Sequence, residues 1–263
     1  MMAAKFFACA GRDFACTMRI MELSPAVIAV MCLAAFTTGI SKSGLPGLVT
    51  VVTPIIAMTM PSRMASGILL PILIAADIVS VIYWRRKAAW KWLGWIIPGA
   101  TGGLVIGYFL LRNIDDDTFK PILGVLIILV TLLSMAQKRL RLRIDPENKV
   151  IPLAIGLFAG ICNMLANAAA PVLAMYLLAI DMDKEDFVGT NAWFFLITNT
   201  AKLPFSLALG TVSVSHLGFD ALIFPLALAG GAAGIYFLKK IPQNAFNIFI
   251  KALALVAGAG LLL

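Results

Sequence analysis

The chain has 263 residues, of which 61% are hydrophobic and 13% charged, with a formal net charge of +8. A soluble domain carries roughly 25% charged residues and needs polar helix faces; the long apolar runs here have none, which argues against a soluble fold. The alternating pattern of a membrane barrel is absent too, and the positive charge sits in short loops, where it reports membrane topology rather than nucleic-acid binding.

Residues 1–23 carry scattered charges and no clean apolar core of signal-peptide type, and read as a disordered N-terminal tail. The first apolar segment, 24–60, is interrupted at Gly39-Ile-Ser-Lys-Ser-Gly-Leu-Pro-Gly47. Its three glycines and one proline break a helix. Lys42 lies in the middle of that break, and an ammonium in hydrocarbon costs roughly 2.5 kcal/mol or more. A cation beside broken backbone at membrane depth is tolerated where it faces protein or a water-filled cavity. That is the anatomy of a transporter site, and the cation suggests an anionic substrate.

The second segment, 64–84, holds one deep carboxylate, Asp77. Arg85, Arg86, Lys87 and Lys91 follow it, with Trp84, Trp90, Trp92 and Trp95 forming an aromatic belt. Segments 92–111 and 119–137 come next, separated by Asp115-Asp116-Asp117. A basic stretch with Lys138, Arg139, Arg141, Arg143 and Lys149 closes the first half. The uncharged run from Val150 to Ile180 would be about 46 Å long as one helix, against a hydrocarbon core of about 30 Å. A broken or re-entrant segment around Gly160–Pro171 removes the excess. Segments 187–209, 217–238 and 244–263 complete the chain, the first of them carrying Lys202. Asp181, Asp183, Glu185 and Asp186 read as a solvated loop and His216 as incidental. The four cysteines, Cys9, Cys16, Cys32 and Cys162, show neither metal spacing nor a disulfide framework.

The two halves match. Pro98 and Pro225 lie 127 apart (225 − 98), and the same offset links Gly103 with Gly230, Gly107 with Gly234 and Arg112 with Lys239. Upstream the offset is 125, linking Pro46 with Pro171 and Asp77 with Lys202. The loop charges reverse between halves, which predicts inverted repeats related by an axis in the membrane plane; Arg12 and Arg19 point the other way, to a cytoplasmic N-terminus. The expected fold is an all-α polytopic membrane protein. It has about eight hydrophobic segments in two homologous halves, each opening with a broken or re-entrant helix. Its parts are a first transmembrane repeat 24–137, a basic cytoplasmic linker 138–149 and a second transmembrane repeat 150–263, in the cell inner (plasma) membrane.

A half-helix that starts in mid-membrane exposes unpaired N–H groups and the positive end of its dipole. Proline suits its first position, so Pro46 and Pro171 are expected there. Two such tips meeting at one point would bind an anion. Ser41 and Ser43 add hydroxyl donors, and Asn163 and Asn167 amide donors. Lys42 and Lys202 supply charge attraction. Asp77 either balances a lysine or carries a coupled proton.

These breaks resemble those of the TauE/SafE family of sulfite and organosulfur-anion transporters. The resemblance rests on Gly39-Ile-Ser-Lys-Ser-Gly44, Leu70-Pro71, Asp77 and Tyr83 in the first half. In the second half it rests on Gly160, Asn163, Ala170-Pro171, Tyr176, Lys184, Phe187-Val-Gly-Thr190, Phe194-Phe195, Asn199, Lys202, Pro204 and Gly210. It covers nearly the whole chain after Pro25 and adds Gly44, Thr190 and Asn199 to the candidate substrate-binding residues. Where family members often carry glycine directly before the second proline, this chain has Ala168-Ala169-Ala170. The resemblance implies an integral membrane protein moving small sulfur anions.

The reading is a secondary transporter for a small anion, a sulfur oxyanion or organosulfonate such as sulfite or sulfoacetate, working by alternating access. An anion channel using the same central site is the alternative. A proton is the candidate coupling ion, and an oligomer is compatible with the sequence. No phosphate-binding Gly-x-x-x-x-Gly-Lys-Ser/Thr motif occurs. One histidine and no Ser/His pairing argue against an enzyme, and no metal or other cofactor is expected.

Overall fold

Glycines decide which helices meet. The computed structural model describes residues 25–46, 48–49, 62–113, 149–212 and 214–259. Eight α-helices are bounded within them, and no strand occurs among them. These are α1 (Pro25–Ser43), α2 (Ser62–Trp84), α3 (Trp90–Asn113), α4 (Val150–Ala166), α5 (Ala169–Ala179), α6 (Lys184–Ala208), α7 (Val214–Lys240) and α8 (Gln243–Ala259). A Cβ on Gly103 of α3 would overlap the Leu157 carbonyl oxygen of α4, and one on Gly160 would overlap that of Ala100. The α1–α7 pair is built alike. A Cβ on Gly230 would overlap the Phe36 oxygen, and one on Gly39 the Ala227 oxygen. Backbones in both pairs therefore touch, as small residues at fourth-residue spacing allow. Gly103 and Gly230, matched in sequence, serve matched interfaces.

The remaining contacts orient the helices. Lys87 Nζ lies 2.9 Å from Glu185 Oε2, and Ala89 N donates to Thr190 Oγ1 at 2.9 Å. Lys184 Nζ donates to Ile241 O at 2.6 Å and Leu238 O at 3.1 Å. These bonds gather the end of α2, the starts of α3 and α6 and the end of α7 at one end of the molecule. Arg85, Arg86, Lys91, Lys239 and Lys240 are exposed there. The hydrogen bond from Lys87 to Glu185, and that carboxylate's charge, hold the Lys87 ammonium above its ordinary pKa. At the opposite end Gly67 of α2 closes on Thr211, just beyond α6. So α2 ends where α6 starts, and α3 starts where α7 ends. α2 packs on α6 between the two glycine-lined pairs.

α4 and α5 form a hairpin rather than one long helix. α4 starts at the basic end, with Lys149 Nζ 5.1 Å from the Trp95 ring centroid. It stops at Asn167, whose φ of 54° is left-handed. Asn tolerates that region better than other side chains, and the turn reproduces a helix C-terminal stop. Asn167 N donates to Asn163 O at 3.1 Å and Ala168 N to Cys162 O at 3.2 Å. α5 then returns, bringing Tyr176 within 5.9 Å of Trp92 at the start of α3. Pro171 is the third residue of α5 rather than the first. It still lies in the first turn, where N–H groups have no intrahelical partner.

The first half shows the matching stop. Gly44 N and Leu45 N both donate to Ile40 O, at 3.0 and 3.1 Å. Pro46 sits in the turn, and Leu48 and Val49 are helical. The N-terminal tail, most of the half-segment expected up to Met60, the segment 119–137 and nearly all of the basic linker lie outside the described residues.

Large apolar residues lie on the outside of the helices as well as within. Leu222 is 71% exposed, Ile248 68% and Ile82 66%, whereas Asp77 is fully buried. Exposed apolar residues of this kind suit a membrane or protein interface. Trp90–Asn113 and Ala221–Lys240 have the length and apolar composition to cross a bilayer. Inside, α5, α6, α3 and α8 share one apolar core around Tyr176, Phe187, Phe194, Ile96 and Phe246. α1, α2 and α7 share a second around Met31, Leu69, Ile72 and Ala227.

Candidate functional site

Lys42 is the penultimate residue of α1. α2 presents Asp77, Ser80 and Trp84 to it, at the three- and four-residue steps that share a helix face. Ser80 Oγ donates to Lys42 O at 2.7 Å and Trp84 Nε1 to Ser43 O at 2.9 Å. Those are carbonyls that a helix end leaves without intrahelical partners, so α2 caps α1 in place of water. The Lys42 ammonium then points at Asp77, 2.9 Å from Oδ1 and donating to Oδ2 at 3.2 Å. Its other neighbour is the Phe195 ring, 3.9 Å from Nζ to centroid. A ring face at that distance attracts a cation.

From Asp77 a polar chain crosses the molecule. Asn199 Nδ2 donates to Asp77 Oδ2 at 2.7 Å, and Asn163 Nδ2 donates to Asn199 Oδ1 at 3.2 Å. Lys202 Nζ donates to Asn163 O and to Asn167 Oδ1, both at 2.7 Å. Every one of these residues is 5% exposed or less. Unpaired, a buried ion loses several kcal/mol of hydration; here each charge has a partner. With both lysines protonated, Lys42, Lys202 and Asp77 carry one formal positive charge in excess.

Both helix interruptions open on one small cavity. Ser41, Lys42 and Val49 line it from the first; Asn163, Asn167 and Ala170 from the second; Asn191, Phe195 and Asn199 from α6. Its volume is about 20 Å³, room for a water. Ala170 lies in the first turn of α5, where unpaired N–H groups and the helix dipole favour an anion. The donor set and the surplus charge both suit a small oxyanion.

The structure sorts the candidate residues. Ser41, Lys42, Asn163, Asn167 and Asn199 line the cavity, and Asp77 holds Lys42. Lys202 grips Asn163 and Asn167 but faces a neighbouring cavity. Gly44 closes against Gly234, and the buried Ser43 hydroxyl has no hydrogen-bond partner. Pro46 is in the turn and Pro171 is buried within α5. Thr190 accepts from Ala89 N at the basic end, outside the cavity. Sequence reasoning missed Asn191 and Phe195 as cavity residues. The spacing was available: Asn191, Phe195 and Asn199 are four apart and share one face of α6.

The sulfite exporter TauE/SafE family model matches residues 31–261. The chain belongs to the TauE/SafE family. No curated protein and no solved structure matches it. TauE/SafE membership makes it a membrane transporter of the sulfite-exporter kind. The match takes in both interruptions, Asp77 and all of α6, so every residue of the polar chain lies within the TauE/SafE region.

Proposed function

We propose that this TauE/SafE protein is a secondary transporter that carries a sulfur oxyanion or organosulfonate across the cytoplasmic membrane by alternating access. The observation that carries the reading is the cavity where both helix breaks meet the Lys42 ammonium. An anion there finds a cation, amide donors and a helix N-terminus at once. The cavity holds about one water, less than a sulfur oxyanion needs, so carriage requires the surrounding helices to part. Such a closed state favours a carrier over an open channel.

The opposed directions of α2 and α6, and of α3 and α7, support inverted repeats 24–137 and 150–263 joined by a cytoplasmic linker 138–149. The basic end would be cytoplasmic by its lysines and arginines. Alternating access would then exchange the roles of the two interruptions about the α2–α6 contact.

The reading makes Lys42 the substrate's charge partner, and Asp77 the group that holds Lys42 between cycles or carries a coupled proton. Proteoliposomes test it. Lys42→Met, which keeps side-chain length without charge, should lower sulfite flux at least about tenfold at unchanged protein level. Unchanged flux would remove Lys42 from the site. Preloaded vesicles separate carrier from channel, because a carrier shows saturable trans-stimulation and a channel shows conductance. A panel of sulfite, sulfoacetate, thiosulfate and sulfate would then identify the substrate.

A further inference from the structure

The polar face of α6 runs on beyond the Lys42 cavity. Asn191, Phe195 and Asn199 line that cavity, and the next positions on the same face are Lys202 and Ser206. From Asn191 to Ser206 is roughly 22 Å of helix. Lys202, Ser206 and Thr211 line a second cavity of about 50 Å³, walled elsewhere by Leu111, Met164 and Leu209. This cavity lies at the end remote from the basic loops, where α3 and α6 both finish.

Lys202 Nζ donates across the place where the two cavities adjoin, to Asn163 O and to the Asn167 side chain. Asn167 lines the first, and its Oδ1 accepts at 2.7 Å from Lys202 Nζ, whose residue lines the second. Asn167 is also the left-handed turn of the α4–α5 hairpin, so its backbone is pinned while its amide faces α6. An amide oxygen is a neutral acceptor. A hydrogen bond from an ammonium to an anionic oxygen is roughly twice as strong as one between neutral groups. An oxyanion reaching the Asn167 side of the Lys42 cavity therefore competes for the Lys202 ammonium.

Building on the transporter reading above, we propose that the Lys202 cavity is a second anion-binding chamber on the path to the remote face. The Asn167–Lys202 hydrogen bond is the partition between the chambers, and an arriving sulfur oxyanion opens it. Lys202 leaves the Asn167 amide for the anion, and Ser206 and Thr211 offer it hydroxyls on the far side. Leu111, Met164 and Leu209 keep the chamber narrow. Lys42 and Lys202 thus act in sequence on one substrate rather than together in one pocket.

Cysteine accessibility tests the partition in the full chain, with its native cysteines replaced by alanine. Ser206→Cys and Asn191→Cys are probed in separate proteins with a membrane-impermeant methanethiosulfonate applied from the remote face. Ser206→Cys should react at least about tenfold faster than Asn191→Cys, a difference of about 1.4 kcal/mol in accessibility. Adding Asn167→Gly, which removes the amide but accepts a positive φ, should speed Asn191→Cys about tenfold. Asn167→Asp gives Lys202 a charged partner. It should slow sulfite flux about tenfold while sulfite still raises the melting temperature of the purified protein.

Equal reaction rates at the two cysteines would overturn the proposal, as would an Asn191→Cys rate indifferent to Asn167→Gly. Labelling needs no substrate, so it judges the partition by itself. A parent protein that moves no sulfite would count against the transporter reading alone.

Discussion

The Lys42 ammonium and the Asp77 carboxylate, 2.9 Å apart, are separated by 35 residues, and so are Asn167 and Lys202, which meet at 2.7 Å. Adding the offset of 125 to Lys42 gives Asn167, and adding it to Asp77 gives Lys202. One contact thus occurs twice, between a helix interruption and a later long helix, α2 in the first half and α6 in the second. In the first half it is an ion pair; in the second it joins a cation to a neutral amide. The scaffold repeats while the chemistry of the side chain facing each lysine does not: a carboxylate in one half, an amide in the other.

Asp77→Asn should leave Lys42 buried without a counter-charge. Removing one member of a buried pair costs about 3–5 kcal/mol. Thermal unfolding in detergent should register that loss. The double variant Lys42→Met with Asp77→Leu should recover much of it, since an apolar pair needs no compensation, yet remain without sulfite flux. If Asp77→Asn keeps full stability and the pH dependence of flux, Asp77 neither holds Lys42 nor carries a coupled proton.

Gly103→Val and Gly230→Val should be comparably damaging, because each would press a side chain into the carbonyl of the helix alongside. Overpacking of this kind costs roughly 1–3 kcal/mol or more. Gly94 has nothing within 4 Å of an added Cβ, so Gly94→Ala should be neutral or slightly stabilising. Expression level and melting temperature across the three variants provide the comparison. A mild Gly230→Val beside a severe Gly103→Val would argue that the two interfaces are not equivalent.

Asn199 bridges Asp77 and Asn163. Asn199→Ala strands the buried Asn163 Nδ2 donor, at about 1–3 kcal/mol, and leaves Asp77 Oδ2 with Lys42 as its remaining donor. Sulfite affinity should weaken along with stability, measured as a smaller sulfite-induced rise in melting temperature. Asn199→Asp, which adds a negative charge beside Asp77, should be worse than alanine for sulfite. A better-binding aspartate variant would contradict an anion site.

Thr190→Val gives the contrasting case. It should free Ala89 N at the basic end and lower stability by about 1 kcal/mol. Sulfite affinity should stay within about twofold, because the Thr190 hydroxyl is turned to Ala89 N and Thr190 does not itself line the cavity, although its neighbour Asn191 does. A tenfold loss of affinity would return Thr190 to the substrate site.

Much of this site was legible in the residues. Lys42 and Lys202 stood out because ammonium groups are costly in apolar helices, and the breaks because glycine, proline and asparagine interrupt them. The matched glycines pointed to two homologous halves, and both sets lie at helix contacts. Three features were not legible. A proline after a break does not say whether it takes the first or third helical position, and Pro171 takes the third. A small residue in a break can face a ligand or a helix, and Gly44 faces α7. Hydroxyls look alike in sequence, so the bond that Thr190 accepts from a loop amide could not be read there. Asn191 and Phe195 were overlooked because aromatic and amide residues on an apolar helix suggest packing until their common face is traced.

The glycine grooves also set a timetable for biosynthesis. The α4–α5 hairpin leaves the translation machinery after α3 has been made, so its docking partner is waiting. The interruption carrying Lys42 is made first, yet α7, on which Gly39 and Gly44 close, is among the last segments synthesised. The Lys42 ammonium can meet Asp77 as soon as α2 follows, but the glycine face of α1 waits uncovered until late in assembly. Chains stalled before α7 should stay sensitive to protease at the Lys42 break and become resistant only when α7 emerges.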